Sequence, residues 1–262
     1  MTWALLALAA WGYARAAARV PGFPRARRAC FAGGLVALAV ALVSPVATYS
    51  DALFWVHMVQ HLLVTLVAAP LVVLGAPVAL GLRAARPRIR ARAARAARVP
   101  ALSHPVVTWS ALPAVLWATH FSSFYDRALE SAPLHALEHA VYLGAALLFW
   151  WPVAGADPGA RRIPHAARVA YVALALPAQS FLGLALYSAS DVLYRHYDTL
   201  ARSWGPSPAD DQRLAALVMW LGGDPLLVGA LMGAAVAWMR HDERVAARLD
   251  RRAARRDVRA RD

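Results

Sequence analysis

Apolar residues in this chain come in long runs separated by short polar stretches, not in the narrow stripes of a soluble amphipathic helix. Seven runs stand out, at 2–18, 29–48, 51–82, 105–121, 132–153, 166–188 and 211–240. A bilayer core needs about 20 predominantly apolar residues per helix. The pattern therefore predicts an all-α, polytopic membrane helix bundle with seven transmembrane helices. Prolines punctuate the runs. Pro70 and Pro77 are expected to kink or end the third, Pro113 interrupts the fourth, and Pro177 lies inside the sixth. Gly222-Gly223-Asp224-Pro225 is expected to break the seventh. The division that follows is a seven-span transmembrane domain, 1–240, and an Arg-rich cytoplasmic tail, 241–262.

Charge placement orients the bundle. The chain is 60% hydrophobic with a mean hydropathy of +0.44, yet carries a net charge of +13, and all 28 basic residues are arginine. Of these, 24 fall after the first, third and fifth runs and in the tail; only Arg127, Arg195, Arg202 and Arg213 fall on the other side. Under the positive-inside rule this puts the N-terminus outside and the C-terminus in the cytoplasm. The first run is followed, not preceded, by arginines, which is the wrong order for a cleaved signal peptide. The arginines are accounted for by membrane flanks touching anionic lipid, so no nucleic-acid partner is expected. The segments 83–98 and 240–262 are rich enough in Arg and Ala to form amphipathic helices. Cys30 is the single cysteine, which excludes a disulfide framework or a paired-thiolate site.

Candidate chemistry lies in the histidines. His57 and His61 are one helical turn apart in the third run, and His135 and His139 repeat the spacing at the start of the fifth. Residues at i and i+4 share a helix face. Both runs enter from outside, which sets His57 and His61 roughly 9 and 15 Å along the span from Asp51 at 1.5 Å per residue. His120 ends the fourth run, His196 sits in the outer loop, and Met219 lies roughly 12 Å into the seventh. His104, His165 and His241 fall on the cytoplasmic side. Imidazole suits copper or zinc, and thioether selects Cu(I). The metal candidates are thus His57, His61, His135, His139 and Met219, with Glu138 as an acceptor for a ligand N–H. His120 and His196 read as access-path ligands or as interfacial polar groups, the latter favoured. Ionisable groups in a membrane span are costly and point to function. Other roles stay open: paired histidines can ligate haem in a haem- or quinone-linked redox protein, or merely hydrogen-bond helices in a structural assembly partner. No nucleophile elbow, phosphate loop or paired-carboxylate site appears, so the chain is not expected to be an enzyme.

The stretch HMVQHLLVTLVAAPLVVLGAP, at 57–77, resembles the CtaG-type cytochrome c oxidase assembly family. HALEHAVYLGAALLFWWPV, ARVAYVALALPAQSFLGLALYSASDVLYRHY and DDQRLAALVMW resemble further motifs of that family in the same order, covering about 52–220. The resemblance implies a multi-pass protein of the bacterial cytoplasmic membrane, needed to assemble haem-copper oxidase through copper supply to a cytochrome c oxidase subunit. A periplasmic copper donor is then a possible further partner. The implied cargo is copper, as transient Cu(I). His57, His61, His135, His139 and Met219 fall on matching positions, with Glu138, Gln179, Asp211 and Gln212 as polar neighbours. Leu221-Gly222-Gly223-Asp224-Pro225 departs from the family pattern just below Met219.

Overall fold

Every regular element in the computed structural model, which describes residues 2–96, 104–158 and 163–259, is helical. That is what long apolar runs require, because a helix satisfies its own backbone where no water can. Five helical stretches are long and apolar enough to cross a membrane: Arg25–Val43, Phe54–Ala84, Ala132–Ala154, His165–Tyr187 and Pro208–Arg251. The chain is a multi-pass membrane protein. The first and fourth expected spans also form helices, α1 (Thr2–Ala18) and α8 (Pro105–His120), but with 17 and 16 residues they are shorter than those five. Arg98, Arg161, Arg162 and the end of the tail at 260–262 lie outside the described residues.

Between α1 and α8, α2 (Arg25–Val43) leads into α3 (Pro45–Ser50). The third run comprises α4 (Phe54–Leu62), a π-helical turn at Leu63–Ala68, α5 (Ala69–Leu74) and α6 (Pro77–Ala84). The Arg-rich loop after it does form a helix, α7 (Pro87–Ala96). After α8 come α9 (Phe124–Glu130), α10 (Ala132–Ala154), and the sixth run as α11 (His165–Ala173) and α12 (Ala175–Tyr187). Then follow α13 (Arg195–Thr199), α14 (Pro208–Leu217), a second π turn at Val218–Gly222, and α15 (Gly223–Arg259).

The prolines depart from the expectation at Pro113, which α8 runs through unbroken, and at two further places. A proline ring clashes with the carbonyl four residues back, and a π turn widens the helix there. Ahead of Pro70, the Ala69 N–H reaches back five residues to the Val64 carbonyl. Ahead of Pro225, the helix also widens and then continues, so Gly222 to Pro225 is a bulge and not a break. Each widened turn lends a carbonyl to a side chain. Trp150 Nε1 donates to Thr65 O at 2.9 Å, and Gln179 Nε2 donates to Met219 O at 3.1 Å. Glycines make this crossing close: a Cβ at Gly183 would lie 2.9 Å from Trp220 Cβ, and one at Gly223 3.0 Å from Gln179 Nε2. α15 runs unbroken through Arg240 to Arg259, so the Arg-rich stretch is helical over its described residues.

One large core gathers Phe54 and Met58 of α4, Leu112 and Leu116 of α8, Tyr142 and Phe149 of α10, Leu182 of α12, and Met219. A smaller cluster seats α2 on the π turn of the third run through Ala37, Leu38, Ala41, Val64 and Ala68. The polar site lies within the large core, at the end where α4 and α10 begin.

Candidate metal centre

Two helix starts set the site. α4 has no side-chain cap of its own at Leu53. Its first amides are instead taken by Asp211 from α14: Phe54 N–H donates to Oδ2 at 3.1 Å and Trp55 N–H to Oδ1 at 3.0 Å. An N-terminal carboxylate satisfies orphan donors and suits the positive end of the helix dipole. With α4 anchored this way, His57 and His61 point into the bundle, 0% and 4% exposed. α10 opens beside it after Ser131 and brings His135 and His139 to the same place.

The four imidazoles meet. Ring centroids are 4.3 Å apart for His57–His61, 4.5 Å for His135–His139, 5.3 Å for His57–His135 and 5.9 Å for His61–His139. His57 Nε2 lies 2.8 Å from His61 Nε2. Ligand atoms of His57, His61 and His139 lie within 4.8 Å of one another, and so do those of His57, His135 and Glu138. Nitrogens bound at 2.0–2.1 Å lie at most about 4.2 Å apart, so small side-chain shifts bring either group onto one ion.

Proton accounting shows which nitrogens are free to ligate. The Tyr197 hydroxyl donates to Ser50 O at 2.8 Å, so at 3.1 Å it accepts the proton of His57 Nδ1. His57 Nε2 then carries the lone pair and accepts from His61 Nε2–H at 2.8 Å, which leaves the lone pair of His61 on the partnerless Nδ1. Gln60 Nε2 donates to Ala41 O at 2.8 Å, which leaves Gln60 Oε1 to accept from His139 Nε2 at 3.2 Å. The lone pair of His139 is thus on Nδ1. His120 Nδ1 donates to Leu116 O at 2.8 Å, leaving Nε2 bare. A protein acceptor behind each ring is the arrangement that orients metal-bound histidines. Several buried atoms at this place have no partner: His61 Nδ1, His120 Nε2, His135 Nε2, Tyr125 OH and both oxygens of Glu138. Buried polar atoms are nearly always paired, so their convergence fits a site built around a cation.

Aromatic rings close the site. Tyr125 is fully buried, with its ring 5.4 Å from His57 and 5.3 Å from His120, and it packs on Tyr194 at 4.5 Å. Tyr142 faces His61 at 4.4 Å. Burial pushes the phenols of Tyr125, Tyr194 and Tyr197 above their ordinary range, which keeps them neutral.

Of the residues singled out in the sequence, the structure brings together His57, His61, His135, His139 and Glu138. It also brings in His120, favoured above as an interfacial group: its ring is 3% exposed and 6.3 Å from His61. His196 stays at the rim, its Nε2 3.0 Å from Asp51 O and its N–H donating to Asp126. Asp211 and Gln212 are scaffold. Gln212 accepts from Leu193 N–H and donates to Asp191 O, holding the loop between α12 and α13 at 2.7 and 3.0 Å. Met219 lies in the apolar core and is tied to its surroundings through its carbonyl, by Gln179. Gln60, Tyr125, Tyr142 and Tyr197 were missed. Gln60 was findable, as a polar residue within an apolar run between two histidines; the tyrosines look in sequence like ordinary loop and core aromatics.

Fold and site together define a multi-pass membrane protein with a polyhistidine cluster that can bind a metal, buried near one end of its bundle. The chain belongs to the cytochrome c oxidase caa3 assembly factor family (Caa3_CtaG), whose model matches residues 7–241. That family is tied to assembly of cytochrome c oxidase. The chain is 30% identical over 255 residues to the uncharacterized protein ML1998 of Mycobacterium leprae, covering 89% of this chain and 39% of that protein. It is 29% identical over 253 residues to the uncharacterized protein Mb0105 of Mycobacterium bovis, covering 92% of this chain and 38% of that one. The chain thus spans about two fifths of the length of these relatives. No solved structure matches it.

Proposed function

We propose that this protein is a copper-handling assembly factor. It spans the bacterial cytoplasmic membrane seven times, with its N-terminus outside and C-terminus in the cytoplasm. It holds Cu(I) transiently at the polyhistidine site near the outer face and passes it to the catalytic subunit of cytochrome c oxidase, with a periplasmic donor upstream. The observation that carries this reading is the set of buried, unpartnered ligand atoms on His61, His120, His135 and Glu138, converging beside a His57 whose Nε2 lone pair Tyr197 turns into the site, where His61 Nε2 meets it at 2.8 Å. Imidazole nitrogens without thiolate suit a borderline cation that must leave again. Membership in an oxidase assembly family supports the destination. His57, His61 and His139 form the core of the site, with His135, His120 and Glu138 beside them. Met219 is a reserve donor, reachable if the core loosens around Gln179.

The haem alternative fits less well. Across the two helices the rings lie 5.3 Å (His57–His135) and 5.9 Å (His61–His139) apart, with Tyr125 and Tyr142 packed against them, which leaves no slot for a macrocycle. The test is copper content after anaerobic reconstitution of the purified protein. A stoichiometry near one ion per chain is expected, lost in the His57→Ala/His61→Ala double variant. Unchanged copper in that variant refutes the ligand assignment. Oxidase assembly that survives the variant in cells favours a structural partner instead. A Soret band would point to haem.

A further inference from the structure

The two ligand groups are different in kind, and they share one residue. His57, His61 and His139 offer three nitrogens, whereas His57, His135 and Glu138 offer two nitrogens and a carboxylate. Each group has two buried residues and one half-buried one, and the second includes the histidine nearer the start of α10. His135 stands one helical turn before His139, and its side chain is 18% exposed. Its two ring nitrogens face opposite ways. Nδ1 lies 4.0 Å from Oδ1 of Asp51, a side chain that is 68% exposed, while Nε2 is buried without a partner. Glu138 sits just inside, 1% exposed, with neither oxygen hydrogen-bonded. A buried carboxyl left without donors costs several kcal/mol in general. Helix stability gives no reason to keep it, but attraction of a cation does.

We propose that His57, His135 and Glu138 form an outer loading station, guided by Asp51 at the mouth, from which the cation moves to the three-imidazole station of His57, His61 and His139. The proposal rests on the metal-holding reading above. Because His57 serves both stations, they are occupied in turn and one ion is held at a time. The move is a ligand exchange with no change in oxidation state: His135 and Glu138 let go as His61 and His139 bind, Glu138 takes a proton back from water, and His57 stays attached throughout. The exposed Asp51 carboxylate draws the cation to the mouth, and Glu138, a neutral acid while buried and unpartnered, gives up its proton to water as the cation binds it. The imidazole set provides retention, since the softer donors suit the softer ion. Asp51, with no other role in the site, is thereby assigned to it.

The experiment uses the full chain in nanodiscs, with anaerobic Cu(I) as the probe and a chromophoric chelator as competitor. Loading rate is read by stopped flow, and affinity at equilibrium. Asp51→Asn and Glu138→Gln are expected to slow loading about tenfold while equilibrium affinity stays within about threefold. His139→Ala is expected to weaken affinity about 100-fold with initial capture unslowed. Glu138→Asp, which keeps the carboxyl, is expected to recover most of the rate. If Glu138→Gln weakens affinity as much as His139→Ala, there is a single five-ligand site and no loading station. If Asp51→Asn and Glu138→Gln leave the rate alone, the path is wrong. A wild-type protein that takes up no Cu(I) overturns the metal reading itself, a result distinct from both. Asp51 is exposed, so its variant tests the path even if Glu138→Gln fails to fold.

Discussion

Asp211, on α14, caps the helix that carries His57: its two carboxylate oxygens take the first two amides of α4, 157 and 156 residues away in sequence. The same carboxylate takes Arg202 Nη2 at 3.2 Å, and both side chains are buried. Removing one partner of a buried ion pair strands the other. Asp211→Ala leaves Arg202 uncompensated and two helix-start amides bare, so a loss of about 3–5 kcal/mol is expected. The measurement is thermal unfolding in detergent, together with metal content. Asp211→Asn keeps one acceptor and is expected to fall between the two. A ligand role for Asp211 would show instead as metal loss without loss of stability.

Tyr197 determines which nitrogen of His57 faces the site. Its hydroxyl sits between Ser50 O and His57 Nδ1, and with it gone the imidazole is free to take the other tautomer or to turn. Tyr197→Phe is expected to weaken metal affinity about 10–100-fold, the usual cost of losing a group behind a ligand. Overall fold and helix content are expected to stay the same, since the ring and its packing on Phe54 at 5.3 Å are kept. Titration against a chelator, with circular dichroism alongside, separates the two effects. Equal affinity in the variant would show that His57 does not depend on Tyr197 for its orientation.

Sequence reading recovered the helical class, five of the seven expected runs as helices long and apolar enough to cross a membrane, and the convergence of two histidine pairs. All three depend on periodicity and on charge segregation, which are local. What stayed hidden depends on partners far away in sequence. His120 ends an apolar run and so looks interfacial, but Tyr125 and Tyr194 from two later loop segments cover it. Asp211 and Gln212 were picked out as polar neighbours of the site, whereas their bonds reach α4 and the loop between α12 and α13 instead. Pro225 after two glycines suggested a break because proline costs a helix one hydrogen bond. The π turn before it absorbs the strain, and Gln179 takes up a carbonyl there.

Gly34 marks the closest approach of α2 to the third run. A Cβ at this position would lie 2.7 Å from Val72 Cγ2, 2.9 Å from Val72 N and 3.1 Å from Ala68 O. Two of these atoms are backbone and cannot swing away, so Gly34→Ala must push α2 outward. The cost expected is about 1–3 kcal/mol, typical of overpacking. The push also reaches the site, because Gln60 is held against α2 through Ala41 O at 2.8 Å and positions His139 in turn. A lowered unfolding temperature with a parallel drop in metal affinity is expected. Gly33→Ala is the control, since its Cβ would meet only Leu71 Cδ1 at 3.6 Å.

The orientation rests on arginine placement, and labelling tests it directly. In a Cys30→Ser background, a cysteine at Ser190, in the loop held by Gln212, should react with a membrane-impermeant maleimide on intact spheroplasts. A cysteine at Ala246, on the cytoplasmic extension of α15 beside Arg244 and Arg248, should react only after lysis. The physical reason is the cost of moving arginine-rich flanks across the membrane, against which the few outer arginines weigh little. Arg202 is moreover paired with Asp211. Labelling from outside at Ala246 would invert the bundle and put the histidines at the cytoplasmic leaflet. Copper would then have to be loaded from the cytoplasm, and a periplasmic donor would have no access. The reverse result, with Ser190 open and Ala246 closed, puts the Asp51 mouth on the side where such a donor could reach it.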